Sequence, residues 1–379
     1  MHILKIANIT NSRNSGMGRV MHCSADALRK LGHIVDMCFS SDVPRPLSGR
    51  ADRFLFPISL VGAVRERIRQ RGTYDIVEIH EPSAAWYCHL RLHDKALPPC
   101  VIMSHGSEEN YWQHRLALDH HLGRKTSLKS RILVPMTLIS QSRYSLQHSQ
   151  QVMCLNSMDE RFFCNDRRIP ESRVSRIQHG VEDHFFINRN KLRRGLPRLL
   201  FVGSWLNNKG RYVVPEAFRQ VAIRHRGIQL SLLGTGFPAE DVLDCFDQSV
   251  RAFVSVHPYV DDTQLHAAYS EHDILLLPSF FESWGLVLLE AAAAGMAIIS
   301  STAGGPSDIF QDQKNALLVA ATDPVALADA IDNLIKDRQL RDRLGYMAQE
   351  RVRQFTWLAA AQSQLHAYER AICVASEKT

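Results

Sequence analysis

Short apolar runs alternate along the chain with longer stretches in which apolar positions recur at helical spacing. The runs fall at 3–9, 33–39, 74–80 (YDIVEIH), 100–104 (CVIMS) and 151–155 in the first half. In the second they fall at 199–202, 229–233, 253–256, 274–277, 296–300 and 315–320. Continuous apolar runs bounded by turn residues predict strands buried on both faces, and their alternation with helices predicts parallel sheets made of βαβ units. A polar segment punctuated by Gly195 and Pro197 (INRNKLRRGLPR, 187–198) predicts a linker. The expected organisation is a first domain over 1–190, a second over 191–355 and a terminal helix over 356–379.

The most informative pattern is 273–310, DILLLPSFFESWGLVLLEAAAAGMAIISSTAGGPSDIF. It reads as strand, turn with Glu282, Ala/Leu-rich helix with Glu290, stop at Gly295, strand, and a Gly304-Gly305 turn. Ligands of open parallel sheets sit beyond the carboxyl ends of the strands, where the turn around Glu282 is expected. Between Glu282 and Asp308 the sole ionisable side chain is Glu290, and its helix offers no polar stripe. A carboxylate buried there needs hydrogen-bond donors from the protein or a ligand. Eight residues of helix would separate the two carboxylates by ~12 Å, roughly the length of a sugar nucleotide. The free N–H groups of Trp284, Gly285 and Leu286, at the positive end of the helix, suit a diphosphate. A purely structural reading is also open, with Glu282 capping the helix and Glu290 paired to a basic neighbour.

With its flanks (PS before the first Glu, LEAAAAG around the second, TAGGPSDI after the strand) this stretch closely resembles the Glu-x7-Glu signature of retaining GT-B glycosyltransferases, specifically family 4. The resemblance is strong over 199–357 and looser over 1–190. It implies an α/β fold of two Rossmann-like domains facing across a cleft, with a C-terminal helix that starts near Phe355-Thr356-Trp357 and crosses back to the first. It also implies transfer of a sugar from a nucleotide diphosphate sugar to an acceptor hydroxyl, with retention and without metal or cofactor. In that scheme Glu290 holds the ribose, Glu282 the sugar hydroxyls, and the turn Ser283, Trp284, Gly285 and Leu286 the donor's diphosphate.

Further positions follow from the same resemblance. The loop NSGMG after the first strand, with Gly16 and Gly18, matches a glycine loop that faces the donor, although helix–strand packing accounts for both glycines equally well. His105, in the polar cluster His105-Gly106-Ser107-Glu108 after the run 100–104, matches a histidine near the transferred sugar. Lys209 matches a cationic partner of the diphosphate, while Ser204 stands where arginine is usual and leaves only Arg211 nearby. His179-Gly180-Val181-Glu182 replaces the family's Asn-Gly-Val-Asp turn. Competing readings are a GT-B nucleotide-sugar epimerase and a non-catalytic donor-binding partner in a polysaccharide assembly complex. A dehydrogenase is weaker, because NSGMG lacks the Gly-x-Gly-x-x-Gly spacing.

Composition narrows the rest. At 379 residues, with 45% hydrophobic and 22% charged, the chain suits two globular domains. The start MHILKIANI carries no secretory h-region and no segment reads as a membrane span, so the expected place is the cytoplasm. Cysteines 23, 38, 88, 100, 154, 164, 245 and 373 show no paired spacing and read as buried thiols, and the 18 histidines form no metal-type set. Residues 1–190 hold 26 Lys and Arg against 18 Asp and Glu, a surplus of +8 within a whole-chain +6. Much of it lies in 112–147, a helical stretch with Arg115, Arg124, Lys125, Lys129, Arg131 and Arg143. A basic first half suits an anionic or lipid-linked saccharide acceptor and peripheral contact with an anionic membrane, a contact that the family resemblance also implies. No helix-turn-helix, RNP or zinc-finger pattern speaks for nucleic acid. By analogy, the expected setting is assembly of bacterial surface polysaccharide or lipopolysaccharide.

Overall fold

The computed structural model describes residues 1–13, 15–44, 52–187 and 195–377, with backbone alone for 52–54. The chain divides into two compact units, Met1–His179 with Trp357–Thr379, and Gly180–Thr356. The division thus falls ahead of the expected linker, of which 188–194 lies outside the described residues. The turn His179-Gly180-Val181-Glu182 spans it.

In the first unit, β1 (His2–Ile6), β2 (Ile34–Cys38), β3 (Ile76–His80), β4 (Cys100–Met103), β5 (Gln151–Cys154) and β6 (Val174–Arg176) form one parallel sheet in the order β2-β1-β3-β4-β5-β6. β3, β4 and β5 are buried along their whole length, as the unbroken apolar runs predict for strands covered on both faces. The last helix, Trp357–Ser376, packs on the helix Gly16–Lys30 and on β3, β4 and β5. The closing helix is therefore part of the first unit, although the whole second unit lies before it in sequence.

In the second unit, β7 (Arg198–Val202), β8 (Gln229–Leu233), β9 (Val254–His257), β10 (Ile274–Leu277), β11 (Ala297–Ser301) and β12 (Leu317–Val319) form a second parallel sheet, ordered β12-β11-β10-β7-β8-β9. Two Rossmann-like α/β units result, each built on a parallel sheet as the alternating pattern predicts.

The stretch 112–147 is helical, as its pattern predicts, but in several pieces. It is Glu108–His121, then Leu128–Val134, a π-helical turn Pro135–Ile139, and Ser140–His148. Gly123 at φ 65° ends the first piece, and Ser127 caps the second by accepting from the Ser130 N–H. One expectation is corrected: of the eight cysteines read as buried thiols, five are buried, but Cys164 and Cys245 are half-buried and Cys373 is exposed.

Candidate active site

The order of the second sheet reverses between β7 and β10, so the chain leaves these neighbouring strands in opposite directions. At such a switch point the loops beyond the strand ends separate and leave a crevice. The loop after β7 carries Lys209 and the loop after β10 carries Glu282. Lys209 Nζ and Glu282 Oε2 form an ion pair, with Ser279 Oγ donating to the same oxygen at 3.2 Å. The loops are also joined through the backbone, the Phe280 N–H donating to the Asn208 carbonyl at 2.7 Å. Gly210 allows this approach. Its φ is 98°, and a Cβ there would lie 2.8 Å from Pro278 Cγ.

The turn at Glu282 rests in turn on the loop after β11. Glu282 bridges to Gly304, and the Gly305 N–H donates to the Glu282 carbonyl at 2.9 Å. A Cβ on Gly305 would sit 2.4 Å from the Ser283 carbonyl oxygen, so Gly305 is a steric condition for the position of Glu282. Gly285, at φ 82°, caps the helix Leu286–Ala293. Glu282 therefore lies in the turn before the helix, as expected, so the ~12 Å figure, which counts all eight residues as helix, does not describe the spacing of the two carboxylates.

Within that helix Glu290 is 4% exposed. Tyr269, on the helix Asp262–Glu271, donates its hydroxyl to Glu290 Oε2 at 2.8 Å. A protein donor thus meets the need argued from burial, and the tyrosine is one that the sequence reading passed over. The available signal was an aromatic hydroxyl on a helix whose Leu265 and Ala268 are also buried, since a buried tyrosine needs a partner for its O–H. Trp284 is a core residue, 2% exposed and edge-on to Phe355 at 5.5 Å. Of the turn 283–286, Trp284 can offer a ligand its backbone only. Ser204, in the position where arginine was expected, is exposed, and the Arg211 guanidinium lies over the Phe237 ring at 6.0 Å.

His105, Gly16 and Gly18 belong to the first unit. Ser15 caps the helix Gly16–Lys30 by accepting from the Gly18 N–H at 3.1 Å. A Cβ on Gly18 would collide with the Ser12 carbonyl oxygen at 1.9 Å, so packing within the loop accounts for Gly18, whereas Gly16 has open space beside it. Asn14 lies outside the described residues.

His105 follows β4, is partly exposed, and meets a buried polar cluster that the sequence reading did not single out. His105 Nε2 lies 2.9 Å from His80 Nδ1, and His80 Nε2 lies 3.0 Å from Glu78 Oε1. Lys5, 1% exposed, contacts the same Glu78 oxygen at 2.9 Å, and Tyr368 of the last helix donates to Oε2. Burial alone would raise the Glu78 pKa, but Lys5, His80 and Tyr368 together hold the carboxyl below its ordinary range. Burial drives the histidines the other way. His80 is lowered despite Glu78, and His105 is lowered well below the usual imidazole value by burial and then by His80 and His179. His179 is pushed down to about 3 by burial, Lys5 and His80.

Among the described residues no group of three or more His, Cys, Asp or Glu is placed to hold a metal ion. No helix among them is long and apolar enough to cross a membrane.

Two six-stranded sheets of parallel strands, the second with a lysine–glutamate pair at its switch point, make an α/β protein, and solved structures of the same fold place it in the GT-B class. Family comparisons are specific beyond that. The model for "Glycosyltransferase Family 4" matches residues 14–185 and that for "Glycosyl transferases group 1" matches 183–351, so the two together take in most of the chain. The chain belongs to the family 4 type of GT-B glycosyltransferase.

An uncharacterized glycosyltransferase of Methanocaldococcus jannaschii is 26% identical over 60% of this chain and 62% of its own length. A D-inositol 3-phosphate glycosyltransferase of Paenarthrobacter aurescens is 32% identical over 46% of this chain and 44% of its own length. The matches thus span less than two thirds of these relatives. Sucrose-phosphate synthase of Thermosynechococcus elongatus has the same fold, with a TM-score of 0.77 at 20% identity over 97% of this chain and 98% of that one.

Proposed function

We propose that the protein transfers a sugar from a nucleotide diphosphate sugar to an acceptor hydroxyl, with retention at the anomeric carbon and without a metal ion. The observation that carries this reading is the meeting of Lys209 and Glu282 at the β7/β10 switch point, with buried Glu290 on the helix that follows. In the proposed complex Lys209 turns from Glu282 to the diphosphate and stabilises the charge that develops as the anomeric bond breaks, together with the amides of 284–286. Glu282, released, accepts hydrogen bonds from the sugar hydroxyls, and Glu290 accepts from the ribose. His105 contacts the transferred sugar, and the leaving phosphate takes the acceptor's proton. Gly16 and Gly18 line the donor loop.

For the acceptor we propose a saccharide or lipid-linked saccharide of bacterial surface polysaccharide or lipopolysaccharide assembly, met at the cytoplasmic face of a membrane. The helix Leu128–Val134 and its flanks support the membrane part. Arg124, Lys125, Lys129 and Arg131 are exposed there beside Leu128, Ile132, Leu133 and Met136, of which Leu128 is 73% and Met136 70% exposed. Apolar tips ringed by cations match an anionic lipid surface. Arg143 does not join this surface, because it pairs with buried Glu109, as does Arg167.

A thermal-shift panel of UDP-, GDP- and ADP-sugars tests the activity class, since a ligand bound only by the folded state raises its stability. At least one sugar nucleotide is expected to stabilise the protein and to lose its nucleoside diphosphate when an acceptor is supplied. If none of the panel binds, the reading fails.

A further inference from the structure

The buried cluster behind His105 fixes more than its position. Glu78 accepts from Lys5, from Tyr368 and, at 3.0 Å, from His80 Nε2. A carboxylate paired with a buried lysine is an acceptor only, so His80 must carry its proton on Nε2. Lys5 and Glu78 already cancel in charge. A second proton on His80 would therefore leave an uncompensated cation in a site where His80 is 2% exposed. His80 Nδ1 is then a lone pair, and the nitrogen 2.9 Å away, His105 Nε2, must be the donor to it. That leaves Nδ1 as the accepting nitrogen of His105.

We infer that His80 is a positioning residue for His105, holding it as the Nε2–H tautomer so that its Nδ1 accepts a hydrogen bond from a hydroxyl of the transferred sugar. The inference rests on the reading of His105 given above. It makes that residue a neutral acceptor toward the sugar, the form that does not oppose positive charge building up on the sugar as the donor bond breaks. It also gives Lys5, Glu78 and Tyr368 a shared task, because together they dictate the protonation of His80.

Histidine-selective ¹⁵N labelling of the full chain, with two-bond ¹H–¹⁵N correlation spectra near neutral pH, reads the tautomer directly. The His105 signals are assigned by their loss in His105→Gln. The expected pattern for His105 is neutral and protonated at Nε2. It should persist in His80→Asn, whose carboxamide oxygen can stand in for Nδ1, and should mix or invert in His80→Leu. Turnover, followed as release of nucleoside diphosphate from the sugar nucleotide that the thermal-shift panel selects, should fall about ten- to a hundredfold in His80→Leu, by analogy with the outer partners that orient metal-bound histidines. Recovery in His80→Asn and nearly unchanged binding of the nucleoside diphosphate complete the expected result.

A His105 protonated at Nδ1 in the parent, or a tautomer unchanged in His80→Leu, overturns the inference. Should His80→Leu not fold, the parent and His80→Asn spectra still decide it. If His105→Ala turns over at the parental rate, the reading of His105 has failed and the inference falls with it. If His105→Ala is impaired while His80→Leu is not, the inference alone falls.

Discussion

Two carboxylates, one in each unit, meet a lysine in opposite ways. Glu78 lies on β3 with its register neighbour Lys5 on β1, and both side chains are 1% exposed. Its remaining donors, His80 and Tyr368, are buried as well. Glu282 lies in a loop, and its partner Lys209 keeps 26% of its side chain exposed. The first pair is surrounded by groups that need its charge in place. The second lies where solvent, or a polyanionic ligand, can reach the lysine and take it from the carboxylate. A buried pair held in a sheet fixes neighbouring side chains, whereas a half-exposed pair between loops is available for exchange.

The largest expected effect would break this contrast at its buried end. Lys5→Met leaves Glu78 without its counter-charge and should lower stability by ~3–5 kcal/mol, while Lys209→Met should cost at most about 1 kcal/mol, both read by denaturant unfolding. Equal losses would remove the distinction. Acid sharpens it next. His179 has a folded pKa of about 3, far below that of a free imidazole. A depressed folded value gives stability that is complete above the unfolded pKa of about 6.5 and is lost as pH falls from there toward 3. His179→Phe should flatten the acid limb of a plot of melting temperature against pH; an unchanged limb assigns acid loss to other groups.

In the second unit the expected losses are of turnover. Glu282→Gln should lower it about a hundredfold, as should His105→Ala in the first unit, with much smaller changes in nucleoside diphosphate binding. Parallel losses in both quantities would place neither residue at the reacting centre. Glu290→Ala should weaken donor binding by ~1–3 kcal/mol, the scale of a buried charge-assisted hydrogen bond. Calorimetry on the folded variant that finds parental affinity would remove the ribose assignment. The smallest step concerns the basic helix, where each cation near an anionic bilayer contributes about 1 kcal/mol under screening over a Debye length of about 8 Å. Charge reversal at Arg124, Lys125 and Lys129 should release the protein from anionic vesicles at low salt, as high salt should; binding that survives reversal lies elsewhere.

The unit 273–310 was legible because its signals are local. Strand, turn, helix and strand follow one another, and the isolation of Glu290 among alanines and leucines demands a donor, which Tyr269 supplies. The pairing of Lys209 with Glu282 was not legible. The two residues are 73 positions apart and meet only because β10 lies beside β7 in the sheet. Lys5 lies inside an apolar strand, and what makes it tolerable there, Glu78 with Tyr368, comes from another strand and from a helix residue 290 positions beyond Glu78. His80, the last residue of a strand, gave no sign of what it would touch. Trp284 was placed in the donor turn by its position, whereas its ring is taken by Phe355.

The membership of the helix Trp357–Ser376 in the first unit has a consequence for synthesis. A chain leaves the ribosome amino end first, and domains generally fold as units while it does so. The strands bearing Lys5, Glu78 and His80 emerge early, but the hydroxyl of Tyr368 that completes the Glu78 cluster is translated after every residue of the second unit. The second unit, continuous from Gly180 to Thr356, has all its parts before the first one does. Of the two units, the one begun first is thus the last to be finished, and it must wait, incompletely satisfied, through the synthesis of its neighbour.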